Sequence, residues 1–151
     1  MIRDAKISDV KTIHKLLEFY SLKGDMLPRS LIEIYENIRD FFVYEENGQI
    51  IGVCALHVCW EDIAEVRSLA VREGEIKKGL GTKLVKHSLS CALQLGIKKV
   101  FALTYKGKFF KKMGFIEIDK QQLPQKIWTD CIKCVKFPNC DEVAYIYEFK
   151  S

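Results

Sequence analysis

The sequence predicts one α/β domain whose first half is largely antiparallel. Three observations predict it. Strand-like alternation and helical stripes interleave in the order β-α-α-β-β-β-α-β-α-β-(α)-β. Asn47-Gly48 joins two apolar runs as a two-residue hairpin turn. An apolar strand runs through a polar, glycine-containing loop into an amphipathic helix near residue 80. The 151 residues fit a single domain, 1–151, long enough to bury a core, and no repeat, low-complexity tract or linker divides them.

Each element has a local reason. Residues 2–7 read as a short first strand. Ser8 offers a helix N-cap with Asp9 in the first turn, and Val10, Ile13, Leu16, Leu17 and Tyr20 then recur at helical spacing until Gly24. Pro28 restarts a helix whose apolar face is Leu31, Ile34, Tyr35 and Ile38. Strands at 41–45 and 50–59 flank Asn47-Gly48, whose two residues suit the positive φ of a type I′ turn. A further strand covers 63–71, and the loop 72–78 is polar. Leu80, Leu84, Val85, Leu89, Ala92 and Leu93 make one face of a helix that Gly96 ends. Strands at 99–105, 115–119 and 142–149, a short helix at 109–113 and a helix at 123–134 complete the order.

Composition narrows the function. Hydrophobic residues are 48% and charged residues 29%, the balance of a globular domain. The longest uncharged apolar stretch, 50–60, is interrupted by Gly52 and His57 and is too short to span a bilayer. Arg3, Asp4 and Lys6 open the chain without an apolar signal region, so a cytoplasmic location is expected. A net charge of +4 suits a small anionic ligand but is too small to argue for nucleic acid. Neither nucleic acid nor membrane is expected as a partner.

The chemistry concentrates where the strand 66–71 leads through the loop to Lys77-Lys78-Gly79-Leu80-Gly81-Thr82. A helix N-terminus leaves its first N–H groups unpaired, and its dipole favours negative charge. Gly79 and Gly81 would let a pyrophosphate approach the backbone, and Lys77 and Lys78 add positive charge. The spacing is neither G-x-x-x-x-G-K-[ST] nor G-x-G-x-x-G. A lone G-x-G before a helix also fits a plain tight turn.

The run from Arg67-Ser68-Leu69-Ala70-Val71 through Gly79-Leu80-Gly81 to Phe109-Phe110-Lys111-Lys112-Met113-Gly114-Phe115 resembles the core of the GNAT acetyltransferases. The resemblance implies a central mixed, mostly antiparallel, splayed sheet of about six to seven strands flanked by helices. It also implies acetyl-CoA as co-substrate, with no metal required. The pantetheine arm would pair with the backbone of Leu69, Ala70 and Val71. The pyrophosphate would sit on the amides of Lys77, Lys78, Gly79, Leu80, Gly81 and Thr82. Two positions depart from the pattern: Ile76 stands where the family has Gln or Arg, and Phe110 stands where a tyrosine often serves as general acid.

A narrower resemblance is to the N-acetylglutamate synthases, the amino-acid N-acetyltransferases of arginine biosynthesis, in their short stand-alone form. Met26-Leu27-Pro28-Arg29-Ser30-Leu31, Ala55-Leu56-His57, Ala64-Glu65-Val66-Arg67-Ser68-Leu69-Ala70-Val71 and Phe101-Ala102-Leu103-Thr104 carry it. It implies that Arg29 holds a substrate carboxylate, Glu65 lies near the amine and Ser68 lies beside the thioester. Arg67 is a second carboxylate-binding candidate, because guanidinium forks suit a dicarboxylate. Glu65 and Arg67 also fit a surface ion pair. Tyr105, at a strand end, is a candidate donor to the departing thiolate or a packed tyrosine; His57 reads as a packed histidine rather than a catalytic one, and His14 and His87 as helix-surface residues. The partners expected are acetyl-CoA and a small amino-acid acceptor, most simply L-glutamate, and at most a second copy of the chain in a homodimer. Another amine, such as a polyamine or a protein N-terminus, and a weakly catalytic acyl-CoA-binding or thiol-sensing module are the alternatives.

Cys54, Cys59 and Cys91 lie in apolar stretches and read as buried thiols. Cys131, Cys134 and Cys140, spaced C-x2-C-x5-C, could hold a metal with Asp141 or His57 as a fourth ligand. Free thiols in a substrate-side loop are the preferred expectation, with metal as the alternative.

Overall fold

The computed structural model describes residues 1–123 and 142–150. Seven strands form one mixed sheet flanked by helices: β1 (Ile2–Asp4), β2 (Phe41–Glu46), β3 (Gln49–Val58), β4 (Ile63–Val71), β5 (Lys99–Thr104), β6 (Ile116–Ile118) and β7 (Val143–Glu148), in the order β1-β2-β3-β4-β5-β7-β6. The helices are α1 (Val10–Ser21), α2 (Leu31–Glu36), α3 (Leu80–Gln94) and α4 (Gly107–Lys112). The pair β4–β5 is parallel, with Ile63, Ala64 and Glu65 opposite Lys99, Val100 and Phe101; β1–β2, β2–β3, β5–β7 and β6–β7 are antiparallel.

The chain divides into two compact units, which are described in turn. The first comprises Met1–His57 and Val66–Cys91. Its core joins Val10, Ile13, Leu17 and Tyr20 of α1 with Ile34 of α2 and Val43, Val53, Ala55 and Ala70 of the strands. Each large aliphatic side chain removed from water there contributes about 1.5–3 kcal/mol. Asn47 (φ 53) and Gly48 (φ 75) both take positive φ, as the hairpin turn requires. Gly52 has a packing reason: a Cβ there would stand 3.0 Å from Leu84 Cδ1 and 3.6 Å from the Ala70 carbonyl.

Several expectations in this unit shift. β1 ends at Asp4, and residues Ile7–Asp9 form a 3-10 turn. Ser8 is not the cap. The Asp9 carboxylate instead accepts from the Lys6 N–H at 2.7 Å and pairs with Arg3 at 2.8 Å, and Arg3 also reaches Glu45 at 3.0 Å. Pro28 does not begin α2; Ser30 caps it, accepting from the Glu33 N–H at 3.1 Å. Ile38 lies in the 3-10 turn Ile38–Asp40, and among the α2 apolar residues only Ile34 is buried. The polar loop expected at 72–78 is a 3-10 helix over Glu73–Lys78, with Arg72 at its N-cap.

The second unit comprises Val58–Glu65 and the described residues from Ala92 onward. Its core is Cys59, Ile63, Phe101, Leu123, Ala144 and Ile146. Phe110 is buried and stacks edge-on against Phe109 and Phe115. Leu93, expected on the buried face of α3, is exposed. The expected helix at 123–134 and the thiols Cys131, Cys134 and Cys140 lie outside the described residues.

Candidate functional site

β4 carries the expected reactive residues, and its backbone is not regular. Ser68 takes φ 57 inside the strand, a left-handed conformation that costs a non-glycine residue about 1–2 kcal/mol and breaks the two-residue alternation. Glu65, Arg67, Ser68 and Leu69 are half-buried, and Ala70 is buried. The kink divides the strand into Glu65 and Arg67 on one side and Leu69, Ala70 and Val71 on the other.

The end of β4 is held by a contact not expected from the sequence. Tyr20, read as one apolar position of α1, donates its hydroxyl to the Val71 carbonyl. Burial, followed by Glu73 and Asp25, holds its phenol above the ordinary value of 10, so it remains a donor. The next amide, Arg72 N–H, bonds to the Ile51 carbonyl at 2.8 Å.

The 3-10 helix after β4 ends at Gly79, whose φ of 73 is left-handed, and α3 begins at Leu80. The Lys83 N–H is bonded to the Gly79 carbonyl at 3.2 Å. Leu80, Gly81 and Thr82 therefore precede the first i→i−4 bond, and their amides are those a helix start offers to an anion. This fits a pyrophosphate. The side chains add charge in an ordered way. Glu75 Oε2 lies 2.6 Å from Lys78 Nζ, Glu75 Oε1 lies 3.1 Å from Arg72 Nη2, and Arg72 Nη1 reaches Gln49 Oε1 at 2.9 Å. Lys78 first and Arg72 second hold the Glu75 carboxyl below its ordinary range, and Glu75 raises Lys78 in turn. Neither Arg72 nor Glu75 is foreseen as part of this site, although their spacing with Lys78 at three-residue intervals is visible in the sequence.

Arg29 is half-buried just before α2, with its guanidinium 3.4 Å from Glu33 Oε2. The same Glu33 closes the cap with Ser30, so the helix start and the candidate carboxylate binder share one acid. His57 Nδ1 lies 2.7 Å from Asp40 Oδ2, with both side chains about a quarter exposed (28% and 24%), so the histidine is held by a carboxylate rather than packed in apolar surroundings. His87 is not merely a surface residue: its ring meets Phe42 edge-on at 4.7 Å, and its Nε2 lies 3.5 Å from Cys91 Sγ. Cys54 is fully buried and pushed up to about 12, an inert thiol. Cys59 is buried and Cys91 half-buried.

Tyr105 falls in a bend just past β5, half-buried, and Thr104 Oγ1 accepts from the Lys106 N–H at 2.8 Å beside it. Phe110, buried among rings, has no proton to give. Among the described residues no group of three or more His, Cys, Asp or Glu is arranged to hold a metal, and no helix is long and apolar enough to cross a membrane.

The chain matches the model of the acetyltransferase (GNAT) family over residues 10–115. It is 44% identical over 145 residues to an uncharacterized N-acetyltransferase of Chlorobaculum tepidum, covering 96% of this chain and 94% of that one. It is 33% identical over 133 residues to an amino-acid acetyltransferase of Mycobacterium tuberculosis, covering 86% of this chain and 76% of that one. Among solved structures, N-acetylglutamate synthase from Neisseria gonorrhoeae, complexed with coenzyme A and N-acetyl-glutamate, superposes with a TM-score of 0.92 at 25% identity; the match covers 100% of this chain and 35% of that one. A Mycobacterium tuberculosis structure in complex with CoA gives 0.88 at 28% identity, covering 99% of each chain.

Proposed function

Because the chain belongs to the GNAT acetyltransferase family and is an acetyl-CoA-dependent N-acetyltransferase, we propose that its acceptor is the α-amine of a small amino acid, specifically L-glutamate. One observation carries the reading: Ser68 takes a left-handed φ of 57 inside β4, between Glu65 and Arg67, which this reading gives to the acceptor, and Leu69, Ala70 and Val71, which it gives to the cofactor. Its relation to the mycobacterial amino-acid acetyltransferase and to the Neisseria structure holding N-acetyl-glutamate supports the choice of acceptor.

The acceptor arrives as an ammonium, so a proton must leave before its lone pair can attack. Glu65 takes that proton, directly or through water. Nitrogen then bonds to the thioester carbonyl carbon beside Ser68, the tetrahedral intermediate loses its second ammonium proton to water and collapses, and the C–S bond breaks. The departing CoA thiolate is protonated by Tyr105, since Phe110 cannot serve. Arg29 and Arg67 hold the acceptor carboxylates through paired N–H donors, with Arg29 exchanging Glu33 for substrate. Pantetheine pairs with the backbone of residues 69–71, and the pyrophosphate rests on the amides of residues 77–82. Acetylated glutamate would open arginine biosynthesis, in the cytoplasm.

CoA release measured against a panel of free amino acids, polyamines and a peptide N-terminus tests the reading. Glutamate is expected to give the highest kcat/KM. Preference for a polyamine or peptide would overturn the amino-acid acceptor, and preference for another amino acid would overturn glutamate alone.

A further inference from the structure

In the 3-10 helix Glu73–Lys78, side chains three apart eclipse one another. Glu75 and Lys78 thus stand on one edge, and Arg72, at the N-cap, stands three residues before Glu75. Their exposures are ordered: the Lys78 and Arg72 side chains are 57% and 46% exposed, while the Glu75 side chain between them is 16% exposed. The two cations are the exposed members and the carboxylate they share is the less exposed one, within the 3-10 helix that Gly79 ends just before α3. The position that supplies a polar side chain elsewhere in the family pattern is Ile76, an exposed apolar residue. Among the described side chains of residues 72–78, the cations Arg72 and Lys78 are both already paired with Glu75.

We propose that Glu75 is an internal counter-ion of the phosphate loop, from which the pyrophosphate of acetyl-CoA takes over Lys78 and Arg72. The inference rests on the reading of residues 77–82 as the pyrophosphate site. A phosphate oxygen offers these donors the same charge-assisted bond that the carboxylate does. Binding is therefore an exchange of one anion for another, and Glu75 lowers the net affinity while keeping the empty loop ordered. Glu75 in this role determines cofactor affinity and takes no part in acyl transfer.

Equilibrium binding of CoA, measured calorimetrically at low and physiological salt, tests the exchange. Glu75→Gln is expected to bind CoA about two- to fivefold more tightly, the scale of a partly exposed ion pair, with a steeper loss of affinity as salt rises. In a Lys78→Gln background the same change should gain less. Should Glu75→Gln fail to fold, Glu75→Asp, which shortens the side chain, should bind CoA more tightly by a smaller factor. Unchanged or weaker CoA binding by the folded variant overturns the proposal. Gly81→Asp separates the two levels: if it leaves CoA binding intact, the pyrophosphate site itself is misassigned. If it abolishes binding while Glu75→Gln fails to tighten it, only the counter-ion role falls.

Discussion

Arg29 and Glu65 are the residues whose chemistry can be tested one atom group at a time. The Arg29 guanidinium lies a long 3.4 Å from Glu33, a weak surface pair that a substrate carboxylate can replace. Arg29→Ala should raise the acceptor KM about ten- to a hundredfold, the loss of one charge-assisted bond of about 1.5–3 kcal/mol, with the acetyl-CoA KM nearly unchanged. Equal effects on both substrates in steady-state kinetics would make Arg29 structural. Glu65→Gln preserves shape and removes the basic carboxylate. Its kcat/KM should fall, and the acid limb of the pH profile should flatten. Wild-type rates across the pH range would remove Glu65 from proton transfer. Ser68 belongs at this scale too, since its left-handed backbone makes the faces of β4 differ before and after it.

At the scale of elements, α4 meets β7 with no space to spare. A Cβ at Gly107 would collide with Tyr145 Oη and stand 2.6 Å from its Cζ, and Tyr145 is buried. Gly107→Ala therefore forces either the helix start or the ring to move, an overpacking cost of about 1–3 kcal/mol. A lower thermal midpoint by calorimetry is expected, and Tyr145→Phe should not restore it, because the ring carbon remains. An unchanged midpoint would mean that the ring has room to give way. α2 shows the opposite economy: six residues are held as a helix by the Ser30–Glu33 box and one fully buried side chain, Ile34.

At the scale of the molecule, an ion-pair network among the described residues joins Arg3 to Asp9 and, far along the chain, to Glu45. Arg3 is the first cause that lowers the Asp9 carboxyl below its ordinary 3.8. A carboxyl depressed by folding adds stability that is present above its unfolded value and is lost as pH falls through the folded one. Stability should therefore drop as pH falls below about 3.8, and Asp9→Asn should lose about 1–3 kcal/mol near neutrality while becoming less acid-sensitive. Chemical denaturation at several pH values checks both parts. Parallel pH dependence in the two proteins would show that the pair does not stabilise the fold.

Features that depend on neighbours along the chain are legible in the order of residues. Strand β4 runs over the expected 63–71, Asn47-Gly48 turns with positive φ at both residues, α3 starts at the glycine pair and stops before Gly96, and the resemblance carried by residues 67–71, 79–81 and 109–115 agrees with the family match. Period, turn chemistry and capping act within a few residues, so they can be read in order. Tertiary structure decided what depends on partners far apart in the chain. The Tyr20 hydroxyl on the Val71 carbonyl and the Asp40 carboxylate on His57 join residues 51 and 17 positions apart, and no local pattern marks them. Ser68 adopts its strained backbone only because the folded strand holds it there. Glu75 is intermediate: its spacing to Arg72 and Lys78 is written in the chain, but a polar loop and a 3-10 helix look alike in sequence. Only the tighter helix brings the three charges together.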